Sequence, residues 1–248
     1  MAKTIALRIK RQLTPGTAPY WEEFAVPHRP NMNLIAVLLE IAANPVTREG
    51  RPTVPVTYEA NCLEEVCGAC AMLVNGKSRQ ACTALVDQLE QPIRLEPLSK
   101  FPVVRDLAVD RSRLFNDLKR VNAWIPIDGS YALGEGPRMS PREQEGAYPF
   151  SRCISCGNCL EVCPQYNDKT GFVGAAVIGQ VRLFNSHPTG KMNAHERLSA
   201  LTGPGGIHEC GYAQNCVEAC PKEIPLTAAI SQVGRDVVVE SLAGFLRG

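Results

Sequence analysis

Apolar and polar residues alternate from Ile5 to Leu13, the period of a half-buried strand, and Tyr20 to Val26 continues the pattern as a hairpin partner. Between Asn33 and Ile41 the spacing changes to that of a short amphipathic helix. Two brief extended runs, Ala71 to Val74 and Lys77 to Cys82, flank Asn75-Gly76. Such a pair predicts a tight hairpin, because both turn residues need positive φ. Pro92 to Leu98 closes the predicted sheet. Beyond it, Leu107, Leu114, Leu118 and Val121 give Val104 to Val121 a helical period, read as the link between two domains. Asp128 to Pro149, rich in glycine, proline and charge, reads as a surface loop. Asn193 is placed to cap a helix that runs through Ala200 and stops near Gly203. Pro225 is placed to open another, with Leu226, Ile230, Val233 and Val237 on one face. The pattern predicts an α+β chain: a strand-rich domain over residues 1–105, a linker and interdomain helix over 106–145, and a mainly α-helical domain over 146–248.

A length of 248 residues suits one or two domains, each with its own core. A net charge of +1 offers no field to a nucleic acid backbone, so no nucleic acid partner is expected. The most apolar stretches, Leu34 to Ala43 and Phe172 to Phe184, fall short of the roughly 20 residues of a membrane helix. Glu40, Gln180 and Arg182 also interrupt them. Met1 to Thr4 leads into a strand-like segment without the apolar core and cleavage site of a signal peptide, which points to a reducing, cytosolic compartment.

What departs from the ordinary is the count of 11 cysteines. In a reducing compartment, thiols grouped at short spacings are more often metal ligands than bridges. Cys62, Cys67 and Cys70 form C-x4-C-x2-C and are followed by Cys82, the plant-type spacing of a [2Fe-2S] cluster. Gly68 suits a loop whose backbone must come close to an inorganic core. A zinc site is the alternative, although zinc prefers two well-separated CxxC pairs.

The run from Cys153 to Pro164 is C-x2-C-x2-C-x3-C-P, found in two-cluster ferredoxins, where the fourth cysteine serves the other cluster. Cys210, Cys216 and Cys220-Pro221 repeat it, with Ala213 at the remaining ligand position. The crossover gives one [4Fe-4S] cluster Cys153, Cys156, Cys159 and Cys220. Cys163, Cys210 and Cys216 are left for the other. Alanine has no donor atom, so the second of these is expected to be [3Fe-4S]; a water-ligated, labile fourth iron is the alternative. These sets use every cysteine, leaving none for a disulfide or a nucleophile. Three unlike clusters imply a series of redox stations and electron transfer.

With that ligand set, the chain resembles the iron-sulfur subunit of succinate dehydrogenase and fumarate reductase over nearly its whole length. The resemblance is carried by the four cysteines from Cys62 to Cys82, the linker Phe101 to Asp110 and both Cys-Pro segments. It implies a β-grasp [2Fe-2S] domain followed by a helical two-cluster domain. It also implies an FAD-containing flavoprotein partner where succinate and fumarate interconvert, and a membrane anchor that binds quinone. The [2Fe-2S] cluster would face the flavin, the [4Fe-4S] cluster would relay, and the [3Fe-4S] cluster would pass electrons to quinone. Succinate chemistry would then belong to another chain, so no catalytic acid or base is expected here. The subunit would be peripheral on the cytoplasmic face of the cell membrane.

Many ubiquinone-reducing members have tryptophans soon after the first Cys-Pro and a histidine after the next cluster cysteine. Here Gln165, Tyr166, Asn167 and Asp168 follow Pro164, and Gly211 follows Cys210, so that quinone pocket does not carry over. Gln180 to Asn185, His187 to Gly190 and Asn193 to Leu198 look closer to Gram-positive-type members, which serve menaquinone through a haem-containing anchor.

Other residues have plainer readings. His28, His187, His195 and His208 read as surface or interface residues, with His208 closest to a ligand. Arg182 and Arg197 either balance the negative clusters or lie on a solvated helix face, and Trp21 and Trp124 read as packing or docking residues. Gly203, Gly205 and Gly206 around Pro204 spell a loop. The competing functions are fumarate reduction by the same kind of subunit, a free-standing soluble multi-cluster ferredoxin, and an iron-sulfur sensor. The last lacks a basic run or a helix-turn-helix pattern.

Overall fold

The computed structural model describes residues 3–126 and 138–247. By its internal packing the chain divides into one unit of Met1–Arg111 with Ile154–Glu161 and a second of Ser112–Cys153 with Val162–Gly248.

In the first unit β1 (Thr4–Arg11) and β2 (Tyr20–Pro27) pair antiparallel, with Leu7 opposite Phe24. Helix α1 (Leu34–Ala43) follows, capped by Asn33, whose side chain accepts the Ala36 N–H at 2.9 Å. Strands β3 (Ala71–Val74), β4 (Lys77–Gln80) and β5 (Ile93–Glu96) complete a five-stranded sheet in the order β2-β1-β5-β3-β4. β5 runs parallel to β1 and antiparallel to β3. The period of two along β1 sends Ile5, Leu7 and Ile9 to one face, where they meet Leu34, Val37 and Leu38 of α1 in a single core. Each such side chain contributes roughly 1.5–3 kcal/mol on burial.

The Asn75-Gly76 turn forms as its sequence predicts, with φ of 49° and 77°. Asn75 also anchors β5: its Nδ2 donates to the Glu90 carbonyl at 3.0 Å and its Oδ1 accepts the Arg94 N–H at 2.7 Å. The Trp21 ring packs against the guanidinium groups of Arg8 and Arg94, whose Cζ atoms lie 4.9 and 5.2 Å from its centroid.

The helical period expected from Val104 to Val121 breaks in two. Val103–Arg105 (β6) and Ala108–Val109 (β7) form a small hairpin, and helix α2 covers only Ser112–Arg120. Leu107 is part of the core of the first unit, so its spacing from Leu114 is accidental. Asp106, with φ of 48°, turns the hairpin. Its carboxylate is fully enclosed and accepts from Arg11 Nε at 2.9 Å and from the Gln12 and Thr57 N–H groups.

Of the loop expected from Asp128 to Pro149, residues 128–137 lie outside the described residues. Pro141–Ser151 is a helix, α3. Ser140 and Glu143 form a capping box with proline at the first helical turn, a start signal that outweighs Gly146 and Pro149. The short helix α4 (Asn158–Glu161) belongs to the first unit, where the Glu161 carboxylate accepts from Ser99 Oγ at 2.6 Å and the Lys100 N–H at 3.0 Å.

The second unit is helical: α2, α3, α5 (Ala175–Ser186), α6 (Ala194–Ser199), α7 (Asn215–Glu218) and α8 (Leu226–Arg247). α5 and α8 are its central pair. Val177, Ile178 and Val181 are buried on one, and Leu226, Ile230, Val233 and Val237 on the other, the last four as expected. Gly179 lets α8 come close, since a Cβ there would lie 3.2 Å from Leu226 Cδ2. Asn193 precedes α6 as predicted, but a 3-10 turn over Gly190–Asn193 leads in, and its side chain bonds Glu196 Oε1 instead of the backbone.

Arg197 does not lie on a solvated helix face. It is fully buried, donating to the carbonyls of Asn122, Trp124 and Gly190 and to Asn185 Oδ1 at 2.8–3.0 Å. At the far end of α8, Val238, Val239, Leu242, Phe245 and Leu246 are exposed. No helix among the described residues is long and apolar enough to cross a membrane.

Candidate metal centres

The first ligand set sits on the loop before β3 and on the 3-10 turn after β4. Leu63, Glu65 and Gly68 have φ of 61°, 56° and 75°, and these left-handed residues turn successive backbone amides inward. The Cys62 sulfur receives the N–H groups of Glu64, Val66 and Cys67 at 3.3–3.4 Å, and the Cys67 sulfur that of Ala69 at 3.5 Å. Those amides, Glu64 first and Val66 next, lower the Cys62 pKa to about 7.

Cys82 is buried, and its thiol is pushed up to about 11, first by desolvation and then by Cys70. A cost of that kind falls away when iron takes the sulfur as thiolate. Asn33, which caps α1, also donates to the Cys82 carbonyl at 2.9 Å, and the Ala81 N–H donates to the Cys70 carbonyl at 3.0 Å. Arg111 braces the loop from outside, bonding the Ala69 carbonyl at 2.9 Å and the Glu59 carboxylate at 3.2 Å. Donors aimed at sulfur around neighbouring thiols fit an anionic iron-sulfur core.

Gly68 has a purpose beyond admitting that core. A Cβ on it would lie 2.3 Å from the Ile154 carbonyl oxygen and 3.1 Å from Cys156 Cα. The first loop therefore lies directly on the backbone that carries the next group of cysteines. In that segment Ser155 and Gly157 have φ of 50° and 89°, Cys156 and Cys159 are buried, and the Gly157 Cα faces the Phe101 ring. Cys153 and Cys220 are half-buried in the second unit.

The structure brings the third set together around one pocket. Cys163, Cys210 and Cys216 line it with Ala213, Phe172, Ala175 and Ile230. The Cys216 thiol is pushed up to about 11 by burial and by the charges of Cys163 and Cys210. Left-handed Tyr212 and Gln214 shape the loop that carries Ala213. Three thiols and a methyl group around an apolar cavity fit a cluster with one unligated corner.

Among the described residues no three His, Cys, Asp or Glu side chains gather closely enough for a single metal ion; a cluster spreads its thiolates around a larger core. Three of the four histidines have other bonds. His28 pairs with Asp87 and His195 with Glu240, each at 2.7 Å, while His187 Nδ1 accepts the Thr189 N–H. Sequence reasoning passed over Gln80, Arg111 and Asn158. Only their places beside the cysteines could have marked them.

Known proteins match both halves of the chain. A 2Fe-2S iron-sulfur cluster binding domain model matches residues 6–116, and a 4Fe-4S dicluster domain model matches residues 149–224. The succinate dehydrogenase iron-sulfur subunit of Bacillus subtilis is 58% identical over 243 residues, 98% of this chain and 96% of that protein. The fumarate reductase iron-sulfur subunit of Mycobacterium tuberculosis is 33% identical over 193 residues, 77% of this chain and 78% of that one. In fold, a chain in the structure of the Mycobacterium smegmatis Sdh1 complex in the apo form matches with a TM-score of 0.78 and 22% identity, covering 96% of both chains.

Proposed function

This chain belongs to the succinate dehydrogenase iron-sulfur subunit family, and we propose that it is the electron-carrying subunit of a succinate:quinone oxidoreductase, taking electrons from an FAD-containing flavoprotein and delivering them to menaquinone at a haem-containing membrane anchor. Cys62, Cys67, Cys70 and Cys82 hold [2Fe-2S]. Cys153, Cys156, Cys159 and Cys220 hold [4Fe-4S], and Cys163, Cys210 and Cys216 hold [3Fe-4S]. Bound there, the clusters supply one-electron redox steps between a two-electron flavin and a quinone.

The observation that carries the reading is the pocket in which three cysteines face Ala213. A methyl group cannot ligate iron, so this chain fixes the cluster type by omission. Phe172, Ala175 and Ile230 give that pocket an apolar wall. In the first loop the inward amides of Glu64, Val66 and Cys67 stabilise charge on sulfur. Gly68 holds the first and second groups of cysteines close by leaving no side chain between them.

The exposed apolar end of α8 supports a subunit that works within an assembly. We place that assembly on the cytoplasmic face of the membrane. Identity of 58% to a succinate dehydrogenase subunit, against 33% to a fumarate reductase subunit, favours succinate oxidation as the working direction.

The test is EPR of the oxidised and dithionite-reduced complex with iron and sulfide analysis, together with succinate oxidation and fumarate reduction rates in the same membranes. A [3Fe-4S] signal on oxidation and two further clusters on reduction are expected. Zinc as the sole metal, or purification as a lone soluble carrier with no flavoprotein, would refute the reading.

A further inference from the structure

Two enclosed carboxamides stand beside the first and second ligand groups, and the protein leaves one partly and the other wholly unbonded. Gln80, the last residue of β4, has no exposed surface. Its Oε1 lies 3.4 Å from Cys70 Sγ, and its Nε2 has no hydrogen-bond partner. Asn158 opens α4 between Cys156 and Cys159, is 1% exposed, and has no partner at either Nδ2 or Oδ1. Helix α4 packs on strand β4 within the first unit, so both amides belong to one packed region.

An amide buried without a partner is costly, and folds seldom keep one unless something else completes it. What is due beside both residues is sulfur. Iron-bound thiolate and inorganic sulfide have no proton and can only accept. As a thiol, Cys70 donates to Gln80 Oε1. As a ligand it has no hydrogen left, and the amide oxygen would face sulfur lone pairs. A half-turn of the Gln80 amide replaces that oxygen with Nε2 and supplies the missing donor.

Building on the ligand assignment above, we propose that Gln80 and Asn158 are N–H donors to sulfur at the [2Fe-2S] and [4Fe-4S] clusters respectively, and that each raises the reduction potential of its own cluster. The sign follows from charge. A reduced cluster has one more electron, its sulfur accepts more strongly, and a fixed donor favours the reduced state.

The experiment is an EPR-monitored redox titration of the whole complex carrying wild-type chain, Gln80→Leu or Asn158→Leu. Gln80→Leu lowers the [2Fe-2S] potential by the equivalent of roughly tenfold in the reduction equilibrium, about 59 mV for one electron, and leaves the other two clusters in place. Asn158→Leu does the same to [4Fe-4S] alone. A change in packing without loss of a donor would not give this cluster-by-cluster selectivity. If a leucine variant loses its cluster, Gln80→Met or Asn158→Ala decides, since each removes the donor with a smaller change in shape and again lowers the potential of its own cluster alone. Normal clusters with unmoved potentials overturn this proposal alone. A wild-type complex without [2Fe-2S] and [4Fe-4S] signals overturns the ligand assignment as well.

Discussion

Gly68 and Ile154 are packed so tightly that a single methyl group on Gly68 would come within 2.3 Å of the Ile154 carbonyl oxygen. Gly68 also has φ of +75°, so Gly68→Ala combines strain with a backbone collision beside Cys156. That variant is expected to lose [2Fe-2S] and to lower [4Fe-4S] occupancy, read by EPR spin counts and iron analysis. Gly76→Ala is the control. Its φ of +77° carries the same strain, but the added Cβ meets nothing within 4 Å, so it should cost about 1 kcal/mol and keep all clusters.

Ala213→Cys puts a thiol where the third pocket has a methyl group. The expected result is a fourth iron: the oxidised [3Fe-4S] signal disappears, a reduced [4Fe-4S] signal replaces it, and quinone reduction slows. An unchanged oxidised spectrum with full iron content would show that the missing ligand does not set the cluster type.

Arg11 and Asp106 form an ion pair with both side chains fully enclosed. Burial opposes the Arg11 charge, but the hydrogen bond and charge of Asp106, with Glu22 beside them, more than restore it and raise its pKa. Asp106→Ala leaves that cation with less compensation and frees the Thr57 and Gln12 N–H groups, so a loss of roughly 3 kcal/mol is expected in urea unfolding. Removing Glu23 from its exposed pair with Arg48 should cost less than about 0.5 kcal/mol.

Asp117 gives a pH dependence. Burial pushes its carboxyl up to about 6 against the opposing charges of Arg113 and Arg120. Its Oδ2 is 3.8 Å from Arg113 Nε and accepts no hydrogen bond. The folded chain therefore holds this proton more tightly than the unfolded one, and stability is withdrawn as pH rises from near 4 through 6. Asp117→Asn should raise the melting temperature at pH 8 by the equivalent of about 1 kcal/mol, a figure reduced for solvent screening. The gain should vanish by about pH 4, as differential scanning calorimetry at both values would reveal.

Much of the fold could be read from local signals. The Asn75-Gly76 hairpin, Asn33 as the cap of α1 and the buried face of α8 each follow from a few adjacent residues. Leu107 misled because its partners come from a distant part of the chain: helical spacing to Leu114 concealed a turn made by Asp106 and held by Arg11. Helix α3 was hidden by Gly146 and Pro149, although Ser140, Pro141 and Glu143 spelled its start. The cysteines were legible because metal chemistry dictates both their type and their spacing. Gln80 and Asn158 were not, since an amide becomes informative only when its neighbours fail to bond it. Arg197 is similar: an arginine on a short helix reads as solvated until the carbonyls around it are seen.

The third pocket is sewn from distant stitches. Cys163 precedes α5 and α6, while Cys210 and Cys216 come after both, and Ile230 of α8 closes the wall. On the ribosome, Cys62 to Cys82 emerge together on one hairpin and its approach loop, ready for metal early in synthesis. The third cavity lacks one wall until α8 has left the tunnel, so this part of the fold is completed only on a nearly finished polypeptide.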